Sequence, residues 1–275
     1  MTDASSLLEE TTVDLLFSEP ELQARREHIV EFIADTVEAA GAEGAVIGLS
    51  GGVDSTTVAH LAVEALGPDR VRGLSMPSDV NPEADETDAE RVAESLDIEY
   101  DVIDVAPIVE AFVDAAPPAA ADDRTALGNV RVRTRAVLNY FLANAGDRLV
   151  LGTGNRAEAA TGYFTKYGDQ AVDCNPIGNL YKCQVRQLAR AVGVPEDLVT
   201  RTPSAGMWEG QTDETEMGLG YDELDAILAV HVDGPLSKSA TRRTLGVPES
   251  AIERVVELYE QSKHKRAMPP APERL

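Results

Sequence analysis

The chain has 275 residues, of which 43% are hydrophobic and 26% charged, enough to bury a full core as one large or two small domains. Its 48 acidic and 24 basic side chains leave a net charge of −24, a surface that repels nucleic acid and anionic membrane. No apolar run reaches the 18 or so residues that a membrane span needs.

Two cysteines, Cys174 and Cys183, form neither a CxxC pair nor a disulfide framework, and the first residues carry no basic-then-apolar leader, so a reduced, cytoplasmic setting is expected. Only five basic residues are lysines. So acidic and lysine-poor a surface suits a very salty cytoplasm, where screening relieves self-repulsion.

In chain order, a short acidic helix is predicted around residues 7–16 and a longer one over 22–41, with Ile29, Ile33 and Val37 on one face. Residues 45–49 are an apolar run of strand length, followed by a glycine turn and a helix over 54–66. Strands at 71–76, 98–103 and 148–152 alternate with helices at 84–96 and 126–145. Such alternation predicts an α/β fold, a Rossmann-like parallel sheet flanked by helices. Beyond Gly152 the pattern loosens. Residues 161–174 read as an ordered loop, 181–192 as a helix stopped by Gly193, and 201–220 as a candidate mobile lid. Helices over 222–231 and 249–263 and a Pro-rich tail close the chain. The expected organisation is a single domain over 1–275: N-terminal helices at 5–40, a nucleotide-binding core at 41–200, and the lid with C-terminal helices at 201–275.

The strongest motif is Gly48-Leu49-Ser50-Gly51-Gly52-Val53-Asp54-Ser55, placed where a buried strand hands over to a helix. Backbone N–H groups there lack partners and the helix dipole is positive, so the turn suits a phosphate. Asp54 would repel that phosphate unless a metal, naturally Mg²⁺, lay between them. Three readings compete. A plain capped turn is the first. A hydrolase elbow is the second, since the run formally satisfies G-x-S-x-G with Ser50 as nucleophile and His231 or His264 as base. The third is the PP-loop of N-type ATP pyrophosphatases, whose S-G-G-x-D-S pattern is matched at every fixed position; the Walker pattern is absent. The third accounts for Asp54 and Ser55 and is preferred.

The second half carries Gly152-Thr153, Glu158-Ala159, the block Thr161-Gly162-Tyr163-Phe164-Thr165-Lys166-Tyr167-Gly168-Asp169, and Asp173. Further on stand Leu180-Tyr181-Lys182, Pro203-Ser204-Ala205, Gly210-Gln211-Thr212-Asp213-Glu214 and His264-Lys265-Arg266. In these blocks, from about Leu22 to the tail, the chain resembles the NAD synthetase family, whose fold is adenine nucleotide alpha hydrolase-like. The resemblance implies that MgATP adenylates the nicotinate carboxylate of deamido-NAD and that a nitrogen donor then displaces AMP. It implies Asp54 and Glu158 as Mg²⁺ ligands, and Gly48, Leu49, Ser50, Gly51, Gly52, Val53, Asp54, Ser55, Thr153, Lys182 and Ser204 around ATP. Arg133, Lys166, Asp169, Asp173, His264 and Lys265 would contact the dinucleotide, with Asp54, Lys182 and Lys166 as the catalytic set. It further implies a homodimer with the dinucleotide between subunits. Glutamine-using members carry an extra amidase domain of a few hundred residues, for which this length leaves no room, so ammonia is the expected donor and no glutaminase domain is expected.

Several of these residues have plainer readings. Arg131 and Arg135 share a helix face as a solvated stripe, and His264 suits a helix C-terminus. Asp169 and Asp173 also read as turn residues, and Trp208 either covers a nucleotide or anchors its loop. Two departures from the family stand out: an acidic loop after Met76-Pro77-Ser78, where an aromatic is common, and Ser204 where some members have Thr.

Overall fold

The computed structural model describes residues 13–78, 83–204, 206–208 and 210–273. Its centre is a four-stranded, all-parallel sheet in the order β3-β2-β1-β4, built from β1 (Gly44–Gly48), β2 (Val71–Ser75), β3 (Glu99–Val102) and β4 (Arg148–Leu151). Beyond β4 the backbone at Cys174 adds a single parallel bridge to Leu151. The expected parallel α/β sheet is present, with strand ends within two residues of the predicted ones.

Side-chain alternation along the strands feeds two cores. Ala45 and Ile47 of β1 point to one face, where they meet α1 (Glu19–Ala40), α2 (Val53–Leu66), α3 (Glu83–Leu96) and α8 (Lys182–Val192) through Ile33, Leu61, Ala89 and Leu188. Val46, Leu74 and Val150 point to the other, against Val109 of α4 (Ala106–Ala115) and Ala143 of α6 (Arg124–Ala145). Between these two helices lies the one-turn α5 (Pro118–Ala121). Full burial of each aliphatic side chain contributes about 1.5–3 kcal/mol.

A third layer lies beyond the sheet's end. There α7 (Arg156–Thr161) packs against α11 (Tyr221–Ile227), which runs on into a π-helical turn, Leu228–Val232, and against α13 (Glu249–Gln261). The short α9 (Glu196–Val199) and α10 (Asp213–Met217), with α12 (Lys238–Leu245) and α14 (Lys263–Arg266), complete the chain.

The structure departs from the pattern reading in identifiable places. Residues 7–12 of the short acidic helix lie outside the described residues, and residues 13–18 are not helical. Their backbone is satisfied by side chains of α8 instead: Gln184 Nε2 donates to Leu15 O at 2.8 Å, and Phe17 N donates to Gln187 Oε1 at 2.9 Å. The helices α4, α5, α7, α9, α10 and α12 add to the elements expected. In α12 only Thr241 and Leu245 are buried, so no apolar stripe marked it; α7 has six residues, too few for a period to emerge.

Candidate active site

Because β2 and β4 flank β1 and are reached from opposite sides, the chain reverses direction between β1 and β4, and their C-terminal ends open a crevice. A cavity of about 570 Å³ occupies it. Its wall begins with the glycine-rich turn. Gly51 takes φ +70°, a backbone region that favours glycine. Ser50 and Ser55 close the turn on itself, their hydroxyls 3.1 Å apart, while Gly52 N donates to Ser50 Oγ at 3.3 Å. Gly52 is the N-cap of α2 and Asp54 lies in its first turn, where a carboxylate interacts favourably with the dipole.

Opposite the turn, two helix starts bring in the remaining charges. Asn155 caps α7 by accepting from Glu158 N at 3.0 Å, Glu158 Oε2 accepts from Asn155 N at 3.2 Å, and Asn155 Nδ2 donates to Asp54 Oδ1 at 3.0 Å. Lys182, the first residue of α8, is 2% exposed. Its ammonium pairs closely with Asp54 Oδ2, lies 3.6 Å from Glu158 Oε1, and sits 5.1 Å from the Tyr221 ring centre. Tyr221 in turn donates to Asp213 Oδ2 at 2.8 Å. Burial alone would lower the Lys182 pKa, but the charges of Asp54 and Glu158 outweigh it and hold it above the usual lysine value. Burial, then the neighbouring Asp54, pushes the Glu158 carboxyl well above its ordinary range despite Lys182. Burial also raises Asp213. Three carboxylates thus share one ammonium, and the cluster is short of positive charge.

Gly48, Leu49, Ser50, Gly52, Val53, Asp54, Ser55, Thr153, Glu158, Lys182 and Ser204 all face the cavity, as do Asp169 and Lys265. Arg133, Lys166, Asp173 and His264 lie off its wall. Arg133 donates to Lys166 O at 3.1 Å through Nη2, and Lys166 Nζ lies 3.5 Å from His264 Nδ1, so these three form one surface group. Asp173 accepts from Val150 N at 2.7 Å and from the Tyr140 hydroxyl at 3.1 Å, which fastens the end of β4. Lys265 donates to Gly162 O and Phe164 O at 2.7 and 2.8 Å, and Arg266 to Ala159 O and Ala160 O at 3.0 and 2.7 Å. The basic tail therefore sits on carbonyls at the C-terminal end of α7, where cations are favoured.

The described residues of the candidate lid segment, 201–220, contact the rest of the fold. Met207 packs over Gly128, the Arg124 guanidinium lies 4.5 Å from the Trp208 ring centre, and Gln211 Nε2 donates to Glu216 Oε2 at 2.7 Å. Trp208 both anchors its loop on α6 and lines the cavity. Arg135 leaves the expected solvated stripe, is half-buried, and donates to Met76 O at 2.8 Å; Arg131 is buried. Among the described residues no histidine lines the cavity, so Ser50 lacks the histidine base, His231 or His264, that the hydrolase reading requires.

Sequence reasoning passed over Asn155, Tyr221, Arg201 and the site role of Asp213. Asn155 was legible: Asn-x-x-Glu just after a strand is a capping-box signature. Arg201, which donates to Gly51 O at 3.3 Å and pairs with Asp88, carries no local signal.

The family model described as NAD synthase matches residues 25–269. The NH(3)-dependent NAD(+) synthetase of Halobacterium salinarum is 63% identical over 260 residues, 94% of this chain and 97% of that protein. Among solved structures, the NMN synthetase of Francisella tularensis is similar with a TM-score of 0.80 at 37% identity, over 93% of this chain and 99% of that one. The NH3-dependent NAD synthetase of Campylobacter jejuni, in complex with the nitrate ion, gives 0.76 at 30% identity, over 92% and 99%.

Proposed function

The chain belongs to the NAD synthase family, and on that basis we propose an assignment of its site. It is a ligase that amidates deamido-NAD to NAD with ammonia at the expense of ATP. A carboxylate is a poor electrophile; its attack on the α-phosphate of ATP expels pyrophosphate and leaves AMP on the nicotinate carboxylate as a good leaving group, which ammonia then displaces to form the amide.

In this assignment the turn Gly48–Ser55, with Thr153 and Ser204, holds the triphosphate on backbone N–H groups and hydroxyls. Lys182 balances charge that gathers on the α-phosphate, so it is stronger in the transition state than in the ground state. Asn155 orients Asp54. Arg133, Lys166, Asp169, Asp173, His264 and Lys265 receive the dinucleotide, and Lys166 completes the catalytic set with Asp54 and Lys182. The observation that carries the assignment is the convergence of Asp54, Glu158 and Lys182 on one cavity at the sheet's switch point.

The donor set fits Mg²⁺. Asp54 and Glu158 already share a cation in the Lys182 ammonium, and the raised Glu158 carboxyl marks a pair short of positive charge. Asp54 and Glu158 would hold the ion, which usually takes one or two carboxylates alongside substrate phosphates and water. When bound, Mg²⁺ supplies charge that screens the phosphate oxygens. A cytoplasmic homodimer of single-domain subunits, with the dinucleotide between them, completes the proposal.

The test is a reaction in molar KCl with MgATP, ammonium and either deamido-NAD or nicotinate mononucleotide, following amide, AMP and pyrophosphate. NAD formed mole for mole with AMP, and lost at least a hundredfold in Asp54→Ala, is the expected result. Amide from the mononucleotide alone would move the substrate; amide without ATP, or none at all, would sink the assignment.

A further inference from the structure

Behind the cavity, one segment reaches both helices that carry its charges. α11 and the π-helical turn after it pass the N-termini of α7 and α8, and two aspartates of that segment end there. Asp225 is 0% exposed. Its Oδ2 accepts from Cys183 N at 2.9 Å, in the first turn of α8. Tyr181, the N-cap residue of that helix, makes no side-chain cap, so the cap comes from a carboxylate over forty residues further along the chain. The other oxygen, Oδ1, is buried and accepts no hydrogen bond among the described residues. A fully buried carboxylate with one oxygen left without a hydrogen bond is a costly way merely to fill a core. Its place directly behind Lys182 points to a task.

Asp233, just past the π-helical turn, makes the second attachment. It accepts from Arg156 Nε at 3.0 Å, pairs closely with the same guanidinium through Oδ1, and accepts from the Tyr181 hydroxyl at 2.7 Å. Arg156 N also donates to Leu180 O at 2.8 Å. Arg156 precedes Glu158 by two residues, and Tyr181 immediately precedes Lys182. The two helix starts are thereby tied into one unit, and the 3.6 Å spacing of Lys182 and Glu158 depends on it.

We propose that Asp225 and Asp233 are positioning residues of the reaction, which hold Lys182 and Glu158 in place from outside the cavity. Neither lines the cavity. The inference rests on the ligase reading above. A misplacement of about 1 Å in a charged group that meets a transition state costs on the order of a hundredfold in rate. A residue that merely supported the fold would alter melting without separating kcat from KM.

The experiment compares Asp225→Ala, Asp225→Asn, Asp233→Ala and Asp233→Asn with the unaltered protein in molar KCl, recording kcat, KM for deamido-NAD and melting temperature. Asp225→Ala should lose tenfold or more in kcat with KM within threefold. Asp225→Asn keeps an acceptor oxygen for Cys183 N and should recover kcat to within threefold of the unaltered protein. Asp233→Ala should lose tenfold in kcat, and Asp233→Asn less, since it keeps the Tyr181 bond. If Asp225→Ala does not fold, the half-exposed Asp233 carries the test. Folded alanine variants with kcat within twofold of the unaltered protein would overturn the proposal, as would Asp225→Asn being as slow as Asp225→Ala. Failure of the unaltered protein to form amide would instead overturn the ligase reading beneath it.

Discussion

Lys182 has three acidic neighbours within the same buried cluster, Asp54, Glu158 and Asp213. Its replacement by Met keeps the stem and removes the charge. Asp54 and Glu158 would then face each other uncompensated, softened by cavity water, since each side chain keeps 18% exposure. We expect Lys182→Met to lose at least a hundredfold in kcat/KM and to destabilise by about 1–3 kcal/mol, less than the full cost of breaking a buried pair because both carboxylates keep some contact with solvent. Calorimetry at two Mg²⁺ concentrations checks this, because a second positive charge should restore part of the lost stability. Unchanged melting without metal would contradict the charge-balance account. Some of this cluster was readable beforehand. Asp54 follows from the loop pattern, while Glu158 and Lys182 rested on family resemblance, because nothing local says that residues 128 positions apart meet.

At the scale of elements, the start of α8 is instructive. Its first position holds a lysine and its N-cap a tyrosine, neither a side chain that stops an orphaned N–H group. Burial pushes the Asp225 carboxyl, which supplies the cap, up to about 7, although hydrogen bonds from the Cys183 N–H and thiol and from the Lys182 N–H pull the other way. The sign follows. A carboxyl raised from the usual range keeps its proton in the folded state and loses it in the unfolded one, so stability falls as pH rises between about 4 and 7. Asp225→Asn has no such titration. Relative to the unaltered protein its melting temperature should therefore rise from pH 5 to pH 8, by the equivalent of on the order of 1–4 kcal/mol. A constant difference across that range would show that Asp225 is not buried as a proton-holding acid. The capping box of α7 behaves oppositely: Asn155 and Glu158 are three residues apart, so its start was legible without any tertiary knowledge.

The whole molecule carries a charge of −24, and most ion pairs among the described residues lie at the surface, where solvent screening leaves each contributing little. Self-repulsion on that scale is screened over about 3 Å in molar salt against about 30 Å in dilute salt. Melting temperature should rise steadily as KCl goes from 0.01 to about 1 M, and a flat response would refute adaptation to salt. The proposed dimer has a candidate surface in Val137 and Phe141, one turn apart on α6 and 68% and 66% exposed. Phe141→Glu should leave a single-subunit mass in size exclusion at high salt if that face pairs; a dimer retained would move the interface elsewhere.

Strand alternation, the glycine turn and the acid-rich composition needed only neighbours in the chain; they determined the parallel α/β sheet, and they carried the expectations of a phosphate-binding turn and of no nucleic-acid partner. Periodicity works because a buried face repeats every two or 3.6 residues whatever it packs against. The cap on α8, the Arg201 tie to the turn, and the engagement of Lys265 and Arg266 with the end of α7 had no local pattern. Those pairings join residues 42 to 150 apart, and a hydrogen bond or ion pair is specified only when the backbone brings its two ends within about 3–4 Å.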